Sequence, residues 1–161
     1  MTSPPPSPVS RVLFVCSGNI CRSPLAEAIF KSLAHEAGLA GRFVIDSAGT
    51  HNFHEGDAAD PRTRRVGRKH GLNVDSIARP VVDEDFDRFD LIVAMDRGHR
   101  SELIARGGKG RRASIRLMLE FDGEAREQDV SDPYYGGEEG FETMFRVLEP
   151  ACRGLLKTLL A

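Results

Sequence analysis

Short apolar runs alternate along the chain with longer segments whose apolar residues recur at helical spacing. Residues 11–16 (RVLFVC), 42–48 (RFVIDSA) and 90–95 (DLIVAM) have the continuous apolar character of strands that are buried on both faces. Residues 114–119 form a fourth candidate strand. Because buried strands that alternate with helices pack as a parallel sheet, the pattern predicts an α/β fold with helices on both faces.

Apolar spacing and start and stop residues predict four helices: residues 23–38, 60–71, 97–106 and 141–161. Ser23-Pro24 opens the first helix, with Ser23 as its N-cap and the proline at the first helical position, and Gly38 ends it. Pro150 lies inside the last helix. Because proline has no N–H to bond the carbonyl of Arg146, we expect it to kink the helix axis.

Composition adds a domain boundary and excludes several classes of protein. The chain has 161 residues, the size of one ordinary domain. Residues 1–10 (MTSPPPSPVS) are rich in proline and serine, so we predict a disordered tail followed by a single domain over residues 11–161. A net charge of −2 argues against a nucleic-acid partner. No apolar run approaches the roughly 18 residues of a membrane span, so membrane insertion is not expected.

The cysteines indicate a reducing environment. Cys16, Cys21 and Cys152 are too few, and odd in number, for the disulfide framework of a secreted protein. The first residues also lack the basic start and apolar stretch of a signal peptide. We therefore predict a cytoplasmic protein whose thiols have a chemical or a packing role. Export without a signal peptide stays open.

The loop of residues 16–22 (CSGNICR), between the first strand and the first helix, carries the most specific chemistry of the chain. Backbone N–H groups in such a loop point inward at the positive end of the helix dipole, which makes a cradle for an anion. We expect Gly18 and Asn19 to supply the left-handed backbone that the wrap requires. Arg22 can grip two phosphate oxygens with its planar guanidinium. This segment is the predicted phosphate-binding loop.

Cys16 is the predicted nucleophile, at the base of this loop. A helix N-terminus and a guanidinium both stabilise a thiolate, so we expect Cys16 to be deprotonated at neutral pH, with the Ser23 hydroxyl donating to the sulfur. The ring of N–H groups suits the equatorial oxygens of a phosphoryl group in transfer. The pattern predicts phosphoryl transfer through a phosphocysteine. The alternative is a buried structural cysteine with an unrelated arginine.

These residues resemble the signature of the low-molecular-weight protein tyrosine phosphatases. The resemblance covers nearly the whole chain after the tail and rests on five segments: FVCSGNICRSP at 14–24, DSAGT at 46–50, HG at 70–71, AMD at 94–96 and DPYYG at 132–136. It implies a four-stranded parallel sheet and a metal-independent hydrolase that acts on phosphotyrosine in a protein or peptide. It implies no cofactor.

Cleavage of a phosphate ester needs an acid that protonates the leaving oxygen. The polar loop of residues 122–137, called the acid loop below, offers Asp129 and Asp132, and these residues alone leave the choice open. Pro133 restricts Asp132 to an extended backbone. The resemblance matches Asp132 to the general acid of the family, which protonates the tyrosyl oxygen and later accepts a proton from the attacking water.

The resemblance places further residues around the substrate: Ser17, Gly18, Asn19, Ile20, Cys21, Phe53, Tyr134 and Tyr135. Phe53 stands where relatives commonly carry tryptophan or tyrosine, so this wall of the cleft is a variant that can alter substrate choice. Asn19, Ser47 and His70 match positions whose hydrogen bonds hold the loop in shape. His70 can equally be a surface residue at a helix end. His51 and His54 lack companions at ligand spacing, so no metal site is expected.

Two other reactions on the same fold remain as alternatives. An arsenate reductase would use the same loop but needs further cysteines, and only Cys152 is left, on the apolar face of the last helix. Relatives that act on phosphoarginine carry threonine where this chain has Ile20, so Ile20 favours phosphotyrosine. A non-catalytic phosphate-binding module would be expected to lack Cys16 or Asp132, and both are present.

Regulation and partners are further expectations. The family shares the pair of Cys16 and Cys21, so Cys21 is expected to trap oxidised Cys16 as a disulfide, which would make the enzyme redox-sensitive. The alternative is that Cys21 only packs. A tyrosine kinase is a possible partner, and we expect a monomer, with a weak dimer as the alternative.

Overall fold

A computed structural model describes residues 10–161. The predicted tail lies outside the described residues except for Ser10, which already begins the first strand. Four strands form one parallel sheet in the spatial order β2-β1-β3-β4: β1 (Ser10–Cys16), β2 (Phe43–Gly49), β3 (Leu91–Ala94) and β4 (Ser114–Leu117). The predicted α/β fold with a four-stranded parallel sheet is confirmed.

Within residues 10–161, five α-helices accompany the sheet: α1 (Arg22–Glu36), α2 (Pro61–Lys69), α3 (Asp85–Arg88), α4 (Arg97–Gly107) and α5 (Glu138–Leu160). Single 3₁₀ turns occupy Ala40–Arg42 and Met118–Phe121. The sequence pattern did not predict α3, because four residues are too few for an apolar period to show. No helix in residues 10–161 is long and apolar enough to cross a bilayer.

β1 is central, and both of its faces are buried because each is covered by helices. Side chains alternate along a strand, so Val12 and Phe14 enter the core that includes residues of α1 and α5. Leu13 and Val15 point the other way and join a second core. That second core contains Phe86 of α3 together with Leu103 of α4. This two-sided burial explains the continuous apolar run in the sequence.

The start of α1 differs from the prediction. The helix begins at Arg22, its N-cap position is Cys21, and no side chain caps it. Ser23 was predicted as the N-cap, but it lies one residue inside the helix and is fully buried. Its hydroxyl faces Cys16 instead of a backbone N–H at the helix start. Pro24 still falls in the first turn, where its missing N–H costs no intrahelical bond.

α5 is a single helix of 23 residues that continues through Pro150. It begins at Glu138, three residues before the predicted start. The missing N–H of Pro150 leaves the carbonyl of Arg146 without its usual helical partner. Packing of the apolar face against α1 and the Met118–Phe121 turn holds the helix together across this position.

Candidate active site

The phosphate-binding loop lies at the edge of the sheet where the parallel strands end. The end of β2 is bonded directly to it: the N–H of Thr50 donates to the carbonyl of Cys16 at 2.9 Å, and the N–H of His51 donates to the carbonyl of Ser17 at 3.2 Å. Gly49 makes this approach possible, since a Cβ there would lie 2.6 Å from the Ser17 oxygen. The loop is therefore held against a strand end rather than left as a free turn.

The backbone of the loop turns at Asn19, whose φ is 59°. Asn19 is the one non-glycine residue with positive φ within residues 10–161. Gly18, which was also predicted to be left-handed, does not have a positive φ, so that prediction was wrong. Glycine is needed there for space: a Cβ would lie 2.8 Å from Cδ2 of His54 and 3.2 Å from Cε1 of His51.

The side chain of Asn19 is buried inside the loop and cross-links it. Its Nδ2 group donates to Ser23 Oγ at 2.8 Å and to Ser47 Oγ at 3.0 Å. Its Oδ1 accepts the N–H of Arg79 at 3.1 Å. Ser47 in turn donates to the buried carboxylate of Glu27, a residue that the sequence analysis did not single out. Asn19 thus supports the loop and does not line the cleft, where it was predicted to contact substrate.

Cys16 is buried at the base of the loop, and its Sγ lies 3.0 Å from Ser23 Oγ. Ser23 Oγ accepts from the amide of Asn19, so its own proton has two acceptors to choose from: the Cys16 sulfur at 3.0 Å and the carbonyl of Ala48 at 3.4 Å, of which the sulfur is the nearer. A hydrogen bond to the sulfur stabilises its anionic form. Ser23 is therefore placed to donate to the sulfur at the floor of the cleft.

Arg22 is held rigidly at the first position of α1. Its Nη1 donates to Asp96 Oδ2 at 3.0 Å and to the carbonyl of Val130 at 2.9 Å, and its side chain is 5% exposed. The Nη2 group lies 3.4 Å from Ser17 Oγ and 3.7 Å from Asp132 Oδ2. With Nη1 occupied, the Nε–Nη2 edge of the guanidinium remains for an anion.

The structure separates the two candidate acids. Asp132 is at the cleft, where its Oδ1 accepts the N–H of Tyr134 at 3.0 Å and its side chain is 43% exposed. Asp129 instead accepts the backbone N–H of Arg97 at 2.9 Å and pairs with the Arg97 guanidinium. The hydrogen bonds from Arg97 lower the pKa of Asp129. Asp129 is thus committed as a carboxylate at the start of α4, away from the cleft lining.

The cleft has a volume of about 360 Å³ and is walled by the phosphate-binding loop, residues 51–54 and the acid loop. Its lining residues are Cys16, Ser17, Gly18, Ile20, Cys21, Arg22, His51, Phe53, His54, Asp132, Tyr134 and Tyr135. The ring of Phe53 stacks on His51 with centroids 4.1 Å apart. Tyr134 and Tyr135 meet edge to face at 5.0 Å. Aromatic side chains from two separate segments therefore flank the mouth above Cys16.

His51 and His54 form part of this wall. Their rings pack over Gly18, and Nδ1 of His54 lies 3.6 Å from Asp57 Oδ2. Burial, and then the neighbouring His54, lower the pKa of His51. Within residues 10–161 no group of three histidine, cysteine or carboxylate side chains is close enough to hold a metal ion.

His70 does not reach the phosphate-binding loop, so its predicted role in the hydrogen-bond network is corrected. Its Nε2 lies 2.8 Å from Glu142 Oε1, and its ring stacks on Phe145 with centroids 3.7 Å apart and planes 6° from parallel. Both partners belong to α5. His70 is the residue just after α2, and it joins that helix end to α5.

The other two cysteines have different surroundings. Burial raises the pKa of Cys21 to about 12, so this thiol is protonated although it lines the cleft. Cys152 is completely buried in α5, where its Sγ lies 3.7 Å from the carbonyl of Ala26. Burial also raises the pKa of Cys152. Cys152 is therefore a core residue and is not among the cleft residues.

Besides Glu27, two further site residues were not singled out by the sequence analysis. Asp96, which binds Arg22, is the last residue of the AMD run at 94–96. His99 follows one helical turn later, and its Nε2 lies 2.7 Å from Ser17 Oγ. The signal for Asp96 was present in the quoted segment, whereas His99 contacts a residue 82 positions away and had no local signal.

Comparisons with known proteins agree with this geometry. Residues 11–161 match the family model described as low molecular weight phosphotyrosine protein phosphatase. The chain is 46% identical over 149 residues to a low molecular weight protein-tyrosine-phosphatase of Streptomyces coelicolor, with 91% of each chain covered. It is similar to the crystal structure of a protein tyrosine phosphatase from Entamoeba histolytica with Hepes in the active site. That match has a TM-score of 0.91 and 46% identity and covers 94% of this chain and 97% of the other.

A second similar crystal structure is named for a different activity. It is DARP, a drosophila arginine phosphatase, with a TM-score of 0.87 and 32% identity over 93% of this chain and 98% of that one.

Proposed function

The chain belongs to the low molecular weight phosphotyrosine protein phosphatase family, and from this premise we propose that it hydrolyses phosphotyrosine monoesters through a phosphocysteine on Cys16. One observation carries the assignment of residues. Asp132, which follows Cys16 and Arg22 by more than a hundred positions, lines the same cleft as these two residues. A nucleophile, a cation and an acid in one place are what cleavage of a phosphate ester requires.

In the first step the thiolate of Cys16 attacks phosphorus, and the bond from phosphorus to the tyrosyl oxygen breaks. Two phosphate oxygens bind the free Nε–Nη2 edge of Arg22, which neutralises the charge on the phosphoryl group in transfer. Asp132 enters this step protonated and gives its proton to the departing tyrosyl oxygen. The products are tyrosine and a phosphoryl group bonded to the Cys16 sulfur.

In the second step water attacks the same phosphorus, and the sulfur leaves. Asp132, now a carboxylate, accepts a proton from the attacking water, which returns the acid to its starting state. Ser23 stabilises the thiolate that is released, because its hydroxyl lies 3.0 Å from the sulfur. Inorganic phosphate then leaves the loop, and no metal or organic cofactor takes part.

The aromatic walls favour phosphotyrosine over phosphoserine. Phe53 on one side, and Tyr134 and Tyr135 on the other, stand above a nucleophile that is only 3% exposed. A phosphorylated aromatic ring is long enough to reach that depth while it contacts these walls. Phosphoserine lacks the ring and would leave its phosphate short of the thiolate.

Substrate and partner assignments follow the same premise. As a family member the enzyme acts on phosphorylated proteins, and we propose that it does so in the cytoplasm, as a monomer, against the products of a tyrosine kinase. The three cysteines are all unpaired in the structure, as a reducing compartment would keep them. Light scattering on the full chain measures the oligomeric state.

A substrate panel tests the proposed function. A phosphotyrosine peptide, the matching phosphoserine peptide, a phosphoarginine peptide and arsenate with a thiol donor are assayed on one preparation. We expect the phosphotyrosine peptide to have the highest kcat/KM. Release of phosphate from the phosphoarginine peptide at least as fast as from the phosphotyrosine peptide would contradict the proposal, and so would reduction of arsenate.

The second candidate function is phosphoarginine hydrolysis, which the similarity to DARP brings into consideration. Ile20 lines the cleft with an apolar side chain that offers no hydrogen bond to a guanidinium. The variant Ile20→Thr should therefore raise the ratio of phosphoarginine to phosphotyrosine activity about tenfold, since one hydrogen bond to a charged group has that magnitude.

The matched control for this test is Ile20→Val, which has the shape of threonine without its hydroxyl. The ratio of kcat/KM values for the two substrates should stay at the wild-type level in the valine variant. An unchanged ratio in Ile20→Thr would mean that position 20 does not set the choice between the two substrates.

Reversible oxidation is a separate prediction. The Cys16 thiolate attacks an oxygen of hydrogen peroxide, the O–O bond breaks, and hydroxide leaves while the sulfur becomes a sulfenic acid. The thiol of Cys21 then displaces water from that sulfenic acid to give a Cys16–Cys21 disulfide, and dithiothreitol reduces it. Because burial raises the pKa of Cys21 to about 12, closure of the disulfide should become faster as pH rises. Mass spectrometry of the inactivated enzyme identifies the link.

The variant Cys21→Ser separates the two roles of this residue. Without a resolving thiol, Cys16 should pass to irreversibly oxidised forms, and dithiothreitol should restore much less activity than in the wild type. Inorganic phosphate in the loop should slow the inactivation of both proteins. If thiol rescues Cys21→Ser as fully as the wild type, Cys21 is only a packing residue.

A further inference from the structure

His99 lies behind the phosphate-binding loop and outside the cleft lining. Its ring is almost completely buried, and Nε2 is 2.7 Å from Ser17 Oγ. The same hydroxyl lies 3.4 Å from Nη2 of Arg22. Asp96 completes the group, because one carboxylate oxygen binds Arg22 and the other accepts the backbone N–H of His99 at 2.8 Å. The four side chains form a closed ring of polar contacts.

The contacts in this ring favour one protonation state of His99. Arginine can only donate, so Ser17 Oγ accepts from Arg22 and its own proton is available for Nε2 of His99. Nδ1 lies 3.1 Å from Asp96 Oδ1, off the line of a hydrogen bond. An unprotonated nitrogen this close to a carboxylate oxygen would be repelled by it. The tautomer that suits both contacts therefore carries its proton on Nδ1 and accepts from Ser17 at Nε2.

The charges that face His99 come from three parts of the fold. The neighbouring cation is Arg22 of α1. The anions are Asp96 at the N-cap of α4, Glu102 within α4 and Asp132 on the acid loop. Burial, followed by the charge of Arg22, lowers the pKa of His99 from its ordinary value, and the three carboxylates oppose that effect only in part. The neutral imidazole, with Nε2 accepting from Ser17, is thus also the form that the surroundings favour.

We propose that His99 is a positioning residue that holds Ser17 and Arg22 in their binding geometry only while its imidazole is neutral, so that acid weakens the site through it. A protonated His99 would present N–H at both nitrogens, and Ser17 could no longer donate to it. The new cation would also repel Arg22 and compete with it for Asp96. The proposal rests on the proposed function, because Arg22 is the group that binds the phosphate.

The variant His99→Gln tests the role, because its amide oxygen can accept from Ser17 but does not titrate. We measure kcat/KM with p-nitrophenyl phosphate from acidic to slightly alkaline pH and divide the wild-type value by that of the variant. Ionisation of the substrate cancels in this ratio. The ratio should be constant at neutral pH and fall below pH 6.5, by up to about tenfold per pH unit once His99 is protonated. A ratio that does not change with pH would overturn the proposal.

His35→Gln is the matched control, since His35 is exposed in the last turn of α1. Its pH profile should coincide with that of the wild type. Calorimetry of inorganic phosphate binding to wild type and to His99→Gln, once at neutral pH and once below pH 6.5, gives a readout that needs no turnover. If the enzyme proves inactive on phosphotyrosine, the proposed function fails, but a wild-type affinity that drops in acid relative to His99→Gln still supports His99.

Nitrogen chemical shifts of the wild-type protein provide a test that needs no variant. Long-range ¹H–¹⁵N spectra at neutral pH should show His99 as the neutral tautomer with its proton on Nδ1. The opposite tautomer, or a doubly protonated ring at neutral pH, would contradict the geometry on which the proposal stands.

Discussion

Replacement of Cys16 by serine will remove turnover and leave the fold and phosphate binding in place. The serine hydroxyl occupies nearly the same volume, but an alcohol is far less acidic than a thiol and stays protonated, so it is a poor nucleophile. The loss in kcat should be about 10⁴-fold or more, as is typical when an enzyme loses its nucleophile. Steady-state release of p-nitrophenol measures the rate, and calorimetry with inorganic phosphate shows that the loop is intact.

Cys152→Ser is the matched control for this substitution. It makes the same chemical change in the core, where the sulfur lies against the carbonyl of Ala26. We expect it to lower the unfolding temperature and to leave kcat close to the wild-type value, because Cys152 is not part of the cleft. A Cys16→Ser enzyme with substantial activity would contradict the assignment of the nucleophile.

Replacement of Asp132 by asparagine will slow the cleavage of substrates in proportion to how much their leaving groups need a proton. Phenyl phosphate and phosphotyrosine leave as poorly stabilised oxyanions, so their kcat/KM should fall by about 10²- to 10⁴-fold. p-Nitrophenolate leaves without a proton, and its kcat/KM should change much less. The use of kcat/KM limits the comparison to the first step, which ends when the leaving group departs.

The control for Asp132→Asn is the same change at Asp129, three residues earlier in the acid loop. Asp129 pairs with Arg97 and does not line the cleft. Asp129→Asn should change kcat/KM by the same factor for substrates with good and with poor leaving groups, because it can act only by moving the acid loop. If Asp132→Asn lowers kcat/KM equally for substrates with good and with poor leaving groups, Asp132 is structural and does not act as the acid.

The strands and the phosphate-binding loop could be predicted from the sequence because their causes are local. The apolar run of β1 follows from burial on both faces, and the order of strand, loop and helix places a cysteine at the carboxyl edge of the sheet. Asn19 has the left-handed backbone expected of it, because its side chain tolerates that region.

Predictions that depended on distant contacts were less successful. Ser23 has the sequence context of an N-cap, but burial against Cys16 places its hydroxyl inside the site instead. His70 stacks on Phe145, which comes from the far end of the chain, and no local pattern shows that pairing. Gly18 is glycine because two histidine rings pack over it, and those rings belong to a segment more than thirty positions later. Such contacts become visible only when the fold brings the segments together.

Direct detection of the phosphoenzyme tests the central claim. Enzyme mixed with p-nitrophenyl phosphate is quenched within its first turnovers, digested and examined by mass spectrometry. We predict that the peptide containing Cys16 carries one phosphoryl group, and that more of it accumulates in Asp132→Asn, which hydrolyses the intermediate slowly. Turnover with no phosphoryl group on Cys16 in either protein, or with the group on another residue, would contradict the mechanism.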